Sequence, residues 1–234
     1  MAFTIRSVNH NATTANPITV TTAASPAAQV GDLLVIFHGN DYYALSNMPA
    51  PTVSPGSPTV TAPTGGTADA GSLNAHTKAY YAIVATAGQQ TVSVTETGTG
   101  DEDKCLAVYV IAGNDPTTPI GDAAGAFNAT ASTSNPAPAV SPPAVNALMI
   151  SHVNSGTGTS ATSYTPPGSM TEQYDAQVGG ISYTGATEQL TATGTTGTRT
   201  FTAVGNNVPY SAVSVAVQQA TVSAWTYGYS AVIG

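Results

Sequence analysis

Two stretches of this chain read alike. Residues 26–37 run Pro-Ala-Ala-Gln-Val-Gly-Asp-Leu-Leu-Val-Ile-Phe, and residues 141–152 run Ser-Pro-Pro-Ala-Val-Asn-Ala-Leu-Met-Ile-Ser-His. Each is a proline-containing approach, a small turn and then an apolar strand. Each is followed by a long Gly/Pro/Thr-rich excursion and by further strands. An apolar strand face must be covered by another layer. A chain that presents such strands twice in one order therefore points to a two-sheet architecture made of two similar halves.

Helix signals are nearly absent, since no long window keeps a 3.6-residue period free of Gly, Pro or dense β-branching. Strand signals are frequent. Pro17-Ile-Thr-Val-Thr-Thr22 alternates, and Thr91-Val-Ser-Val-Thr95 places Val92 and Val94 on one face. Leu33–Phe37, Ala79–Val84 and Leu106–Ile111 are continuous apolar runs, the pattern of strands covered on both faces. In the second half Ala147–Val153 matches residues 32–38, and Ile181–Thr184 falls near the place of Ala79–Val84. Arg199–Thr202 matches Thr91–Val94, and Ser211–Val217 matches Cys105–Ile111. The offset between matched strands shrinks along the chain, so the loops differ while the strands correspond.

Residues 44–76 carry five prolines and read as a long surface excursion, because the strand pattern resumes at once. Loops of more than about 15 residues are usually functional or disordered. Residues 114–144 read as a second such excursion, a crossover between halves. The expected organisation is an N-terminal arm over 1–16 and one sandwich domain over 17–219, with halves 17–113 and 136–219. An aromatic strand or tail over 220–234 follows. One domain is favoured because a half of about five short strands would leave an apolar face uncovered.

The balance of charge narrows the function. Of 234 residues 41% are hydrophobic, enough for a core, but only 7% are charged, against a typical share of about 25%. The net charge is −8, with four Lys and Arg that form no cluster. Nucleic-acid binding rests on phosphate neutralisation, so it is not expected, and neither is a basic membrane-surface patch. No apolar stretch reaches 18 residues and the first residues lack a signal-peptide core. Composition suited to an outer surface, without a visible secretion signal, suggests a virion component made inside a cell and later presented outside it.

Chemistry-bearing motifs are few. Cys105, the single cysteine, sits in an apolar run and reads as a buried hydrophobe. The four histidines lack ligand spacing, so no metal centre is expected. His38 and His152 end corresponding strands one position out of register and could face each other across the two halves. Asp101, Glu102 and Asp103 are candidate calcium ligands, though adjacent acids at a hairpin tip are more often solvated turn residues. No nucleophile elbow or phosphate loop is present. Catalytic residues and cofactors are therefore not expected. Phe3 and Ile5 near the start, and Trp225, Tyr227 and Tyr229 near the end, are candidate interface residues; the three aromatics would share one strand face. Tyr42 and Tyr43 are candidates for binding a glycan.

The order of elements resembles a sandwich domain recurrent in phage virion proteins and bacterial surface proteins. Its first-half marks correspond to Gly31-Asp-Leu-Leu-Val35, Tyr80-Tyr-Ala-Ile-Val-Ala85, and Leu106–Ala112 followed by Gly113-Asn-Asp115 and Thr118-Pro-Ile120. Its second-half marks correspond to Ala147-Leu-Met-Ile150, Pro166-Pro-Gly-Ser-Met-Thr-Glu172 and Ala212-Val-Ser-Val-Ala216. The usual Gly-Trp-Thr is missing from the first excursion, and Met170 stands where the second Trp is expected. The resemblance implies a jelly-roll-like fold and a structural or adhesive role, with no catalytic residues. The expectation is thus an all-β, jelly-roll-like sandwich of two quasi-repeated halves. As a capsid decoration or fibre-like subunit on the virion surface, it would partner its own copies or a major capsid or tail protein. The alternative is a glycan- or receptor-binding module.

Overall fold

The computed structural model describes residues 2–41, 45–69, 75–97, 103–156 and 161–221. The first half holds β1 (Thr4–Thr13), β2 (Ile18–Thr21), β3 (Leu33–Asn40), a 3₁₀ turn (Leu45–Asn47), β4 (Thr52–Ser54), β5 (Thr67–Asp69), β6 (His76–Ile83), β7 (Thr91–Val94) and β8 (Lys104–Ala112). The second half holds β9 (Ile120–Ser132), β10 (Ser134–Ala137), β11 (Leu148–Ser155), β12 (Ser163–Thr165), β13 (Thr171–Val178), β14 (Ile181–Gln189), β15 (Arg199–Val204) and β16 (Val208–Val217). The protein is an all-β sandwich of antiparallel sheets.

Each half contributes one five-stranded and one three-stranded sheet. The first half pairs as β1-β8-β3-β6-β5 and β2-β7-β4, the second as β9-β16-β11-β14-β13 and β10-β15-β12. Adding eight to each strand number of one half gives the order of the other. The five-stranded sheets face each other and the three-stranded sheets lie outside them, so four layers enclose three cores. Across the centre β3 meets β11, its own counterpart. β1 meets β13 while β5 meets β9, and β8 meets β14 while β6 meets β16.

The continuous apolar runs follow directly from this layering. Side chains alternate faces along a strand. Leu33, Val35 and Phe37 of β3 enter the central core, while Leu34 and Ile36 enter the core under the first outer sheet. β8 divides the same way, with Cys105, Ala107, Tyr109 and Ile111 central and Leu106, Val108 and Val110 outward. Fully burying one such aliphatic side chain stabilises by about 1.5–3 kcal/mol. Each half has a core of its own. What neither half covers alone is the inner face of its five-stranded sheet.

Two expectations are corrected here. The segment read as an N-terminal arm is an edge strand: Thr4–Thr13 pairs with β8 along its length, with a bulge between Ile5 and Ser7. The 114–144 excursion contains β9, which pairs with β16, and β10, which pairs with β15. Both missed long strands are sheet edges with few large apolar side chains, held by ladder hydrogen bonds more than by their own propensity. β9 has a further reason to be small-residued. A Cβ at Gly125 would collide with the Thr67 carbonyl oxygen of β5. Glycine there lets the two halves close along this side.

Candidate functional site

The sequence candidates do not converge. Phe3 and Ile5 are half-buried and pack against the central core. Asp103 is committed to the second half: its carboxylate accepts the Gly180 N–H at the β13–β14 turn, and its carbonyl accepts the Asp41 N–H. Tyr42, Tyr43, Asp101, Glu102, Trp225, Tyr227 and Tyr229 lie outside the described residues. Among the described residues no group of three His, Cys, Asp or Glu side chains is arranged to hold a metal ion. No helix there is long and apolar enough to cross a membrane.

His38 and His152 do not face each other. The register β3 and β11 share across the centre brings Phe37, not His38, to His152, and the two rings stack with centroids 5.2 Å apart and planes 9° apart. A one-position offset on a strand turns a side chain to the opposite face. His152 therefore points into the centre and His38 into the first outer core.

The central cluster is aromatic and polar at once. His152 Nδ1 lies 2.7 Å from the Tyr174 hydroxyl, and His10 Nδ1 lies 2.9 Å from the Tyr183 hydroxyl. The His10 ring stacks on Tyr174 at 5.0 Å. Cys105 Sγ lies 3.8 Å from His152 Nε2. A Cys–His pair invites comparison with a nucleophilic dyad, which needs a lowered thiol pKa beside a protonated imidazole. The shifts here run the other way. Burial pushes the Cys105 thiol well up, and burial with the nearby His10 and His38 pushes His152 down to about 3. Both side chains stay neutral and enclosed, so the pair is part of the packing between the halves. Asn154 completes the seam: its Nδ2 donates to the carbonyls of Asn40 and His76 at 3.1 and 3.0 Å. Thr77 and Ser211 join hydroxyls across it at 2.7 Å.

A second buried cluster was not anticipated from the sequence. Glu96 is 5% exposed and Lys104 1%. Glu96 Oε1 lies 2.9 Å from His38 Nε2 and accepts from Asn40 Nδ2 at 3.0 Å, while Oε2 lies 3.7 Å from Lys104 Nζ. Desolvation works to raise the Glu96 pKa, but these hydrogen bonds and the two neighbouring bases outweigh it and leave the carboxyl below its ordinary value. The Asn16 side chain pairs with both backbone groups of Glu96, at 2.9 and 3.0 Å. His76 Nδ1 lies 2.9 Å from Asp69 Oδ1 nearby, and burial still lowers its pKa. Strand parity was the available signal. Glu96 follows Val92 and Val94 at spacing two, Lys104 precedes Leu106 and Val108, and His38 and Asn40 follow Leu34 and Ile36.

All four cations are engaged within the chain. Arg6 Nε donates to Asp32 at 2.6 Å, and Lys78 Nζ donates to the carbonyls of Leu45 and Met48 at 2.6 and 2.9 Å. Lys104 Nζ donates to the Thr14 carbonyl at 3.1 Å besides facing Glu96. Arg199 grips Glu188 with two parallel bonds of 2.6 and 3.0 Å. Among the described residues the surface is thus left with acidic groups, neutral polar side chains, backbone and scattered apolar side chains such as Val30 and Phe127. A scan of protein-family models matches none of them to this chain, and a search of curated proteins finds no match either.

Proposed function

We propose that this chain is a non-enzymatic structural subunit of a virus particle's outer surface, which packs against its own copies or against a shell or tail protein. The observation that carries this reading is the intramolecular engagement of every Lys and Arg in a chain with so few charges. Contacts made by such a surface rest on shape, apolar area and hydrogen bonds, and are not weakened as ionic strength rises. Two further features support it. Ionisable groups strongly displaced in pKa, among them His152, Cys105, Tyr109 and Tyr174, are enclosed between the halves rather than open to a substrate. The outer sheets also end in short strands, β4 and β12 among them, whose edges can accept a further strand.

Antibody-gold labelling of particles from the source culture tests the reading. The account expects label on the particle exterior. Label confined to the soluble fraction of cells contradicts it.

A further inference from the structure

A groove of about 490 Å³ lies where the loop over 61–65 of the first half crosses onto the start of β9 in the second. Neither the buried clusters nor the assembly reading uses it. Its walls are fixed from several directions. Tyr81 is half-buried, with its ring packed on the central core and bordering the groove. Thr61 and Tyr81 exchange both backbone hydrogen bonds, at 2.9 and 2.8 Å, which locks the loop beside the ring. Gly65 has φ +82°, and a Cβ on it would strike the Ala123 carbonyl oxygen, so glycine lets the loop settle on β9.

The polar groups are also preset. Asp122 Oδ1 accepts the Ala123 N–H at 2.9 Å and Oδ2 accepts the Ser141 N–H at 2.6 Å. Each carboxylate oxygen keeps acceptor capacity for another donor. The Tyr81 hydroxyl has no hydrogen-bond partner among the described residues, and the exposed Thr61 and Thr64 add hydroxyls to the lining. No cation lines the groove.

This set of groups selects by chemistry. An anion would face Asp122 with nothing to balance it. An apolar ligand would desolvate Asp122 and three hydroxyls without replacing their hydrogen bonds. An ammonium would find a single carboxylate, with no second acidic group in the lining to replace its lost hydration. A hydroxyl-rich neutral molecule with one apolar face satisfies everything: its C–H face lies on the ring and its hydroxyls donate to the carboxylate. The volume falls within the usual range for small-molecule sites and accommodates about two sugar rings. We propose that this groove binds a neutral saccharide, stacked on Tyr81 and hydrogen-bonded to Asp122.

The full chain, labelled with ¹⁵N, is titrated with maltose, cellobiose and lactose, and with sulfated lactose as an anionic control. At least one neutral disaccharide should shift the amides of 61–65 and 120–123 saturably, while the sulfated one does not. Thr64→Trp, placed at an exposed position, fills the groove. It should weaken binding about tenfold or more with the thermal midpoint unchanged. The proposal is overturned by the absence of saturable shifts at on the order of 50 mM sugar, by shifts that map elsewhere, or by T64W binding like the parent. Equal binding of sulfated lactose overturns the assignment to neutral ligands.

Discussion

Acidification from about pH 7 to about pH 4.5 is expected to remove about 2.5 kcal/mol of folding stability through His152 alone. His152 is fully buried between Phe37, Tyr174 and Cys105, and its folded pKa is down to about 3. In the unfolded chain a histidine titrates near 6.5. The fold therefore prefers the neutral ring. Its contribution is complete above about pH 6.5 and is lost as the pH falls toward 3, at about 1.4 kcal/mol per unit, for about 5 kcal/mol in all. His10 and His76 are lowered by burial as well, so they add in the same direction. Glu96 is held below its ordinary value, so its share is lost mainly below about pH 4.5. Urea unfolding at the two pH values, on the parent and on His152→Phe, isolates the term. Phenylalanine keeps the stack on Phe37 but cannot titrate. The variant starts less stable at neutral pH, because the Tyr174 hydroxyl loses a partner at about 1–3 kcal/mol, yet its pH dependence should be flatter by about 2.5 kcal/mol. An unchanged pH dependence in the variant would refute the view that the seam holds His152 neutral.

Three other outcomes follow from the packing. Glu96→Gln removes the buried carboxylate charge that faces both His38 and Lys104 and should cost about 3–5 kcal/mol, whereas replacing Glu96 and Lys104 together with leucine and methionine should recover most of the loss in denaturant unfolding. Gly125→Ala forces β9 away from the Thr67 carbonyl and should lower stability by about 1–3 kcal/mol, read as a lower thermal midpoint. The Cys105 thiol should resist Ellman's reagent in the native protein at about pH 8 and react fully in denaturant; rapid native labelling would place it outside the core.

The strands that build the fold were legible wherever both faces are buried. Leu33–Phe37 and Leu106–Ile111 show it as unbroken apolar runs, and Ser211–Val217 as an apolar run broken by Ser214, because each lies in a five-stranded sheet between two cores. β1 and β9 were not legible, since edge strands need neither a large apolar face nor strong propensity when a central strand supplies the ladder. The Ala/Gly run of β9 reads as loop in isolation and becomes a strand only because β16 lies on one side and β5 presses on it. The Glu96 cluster was half legible. Parity sends Glu96, Lys104, His38 and Asn40 inward, but only the fold says that they meet. The saccharide groove was hidden because Thr61–Gly65 and Ile120–Ala123 are far apart in sequence and belong to different halves.

Sedimentation velocity of the full chain across NaCl from about 0.02 to 1 M, spanning screening lengths of roughly 20 to 3 Å, tests the central claim most directly. Subunits that associate through an acidic, cation-poor surface should hold or strengthen their association as salt rises, because screening only relieves the repulsion between copies. A chain that stays monomeric at all concentrations, or an assembly that dissolves steeply as salt rises, would contradict the account.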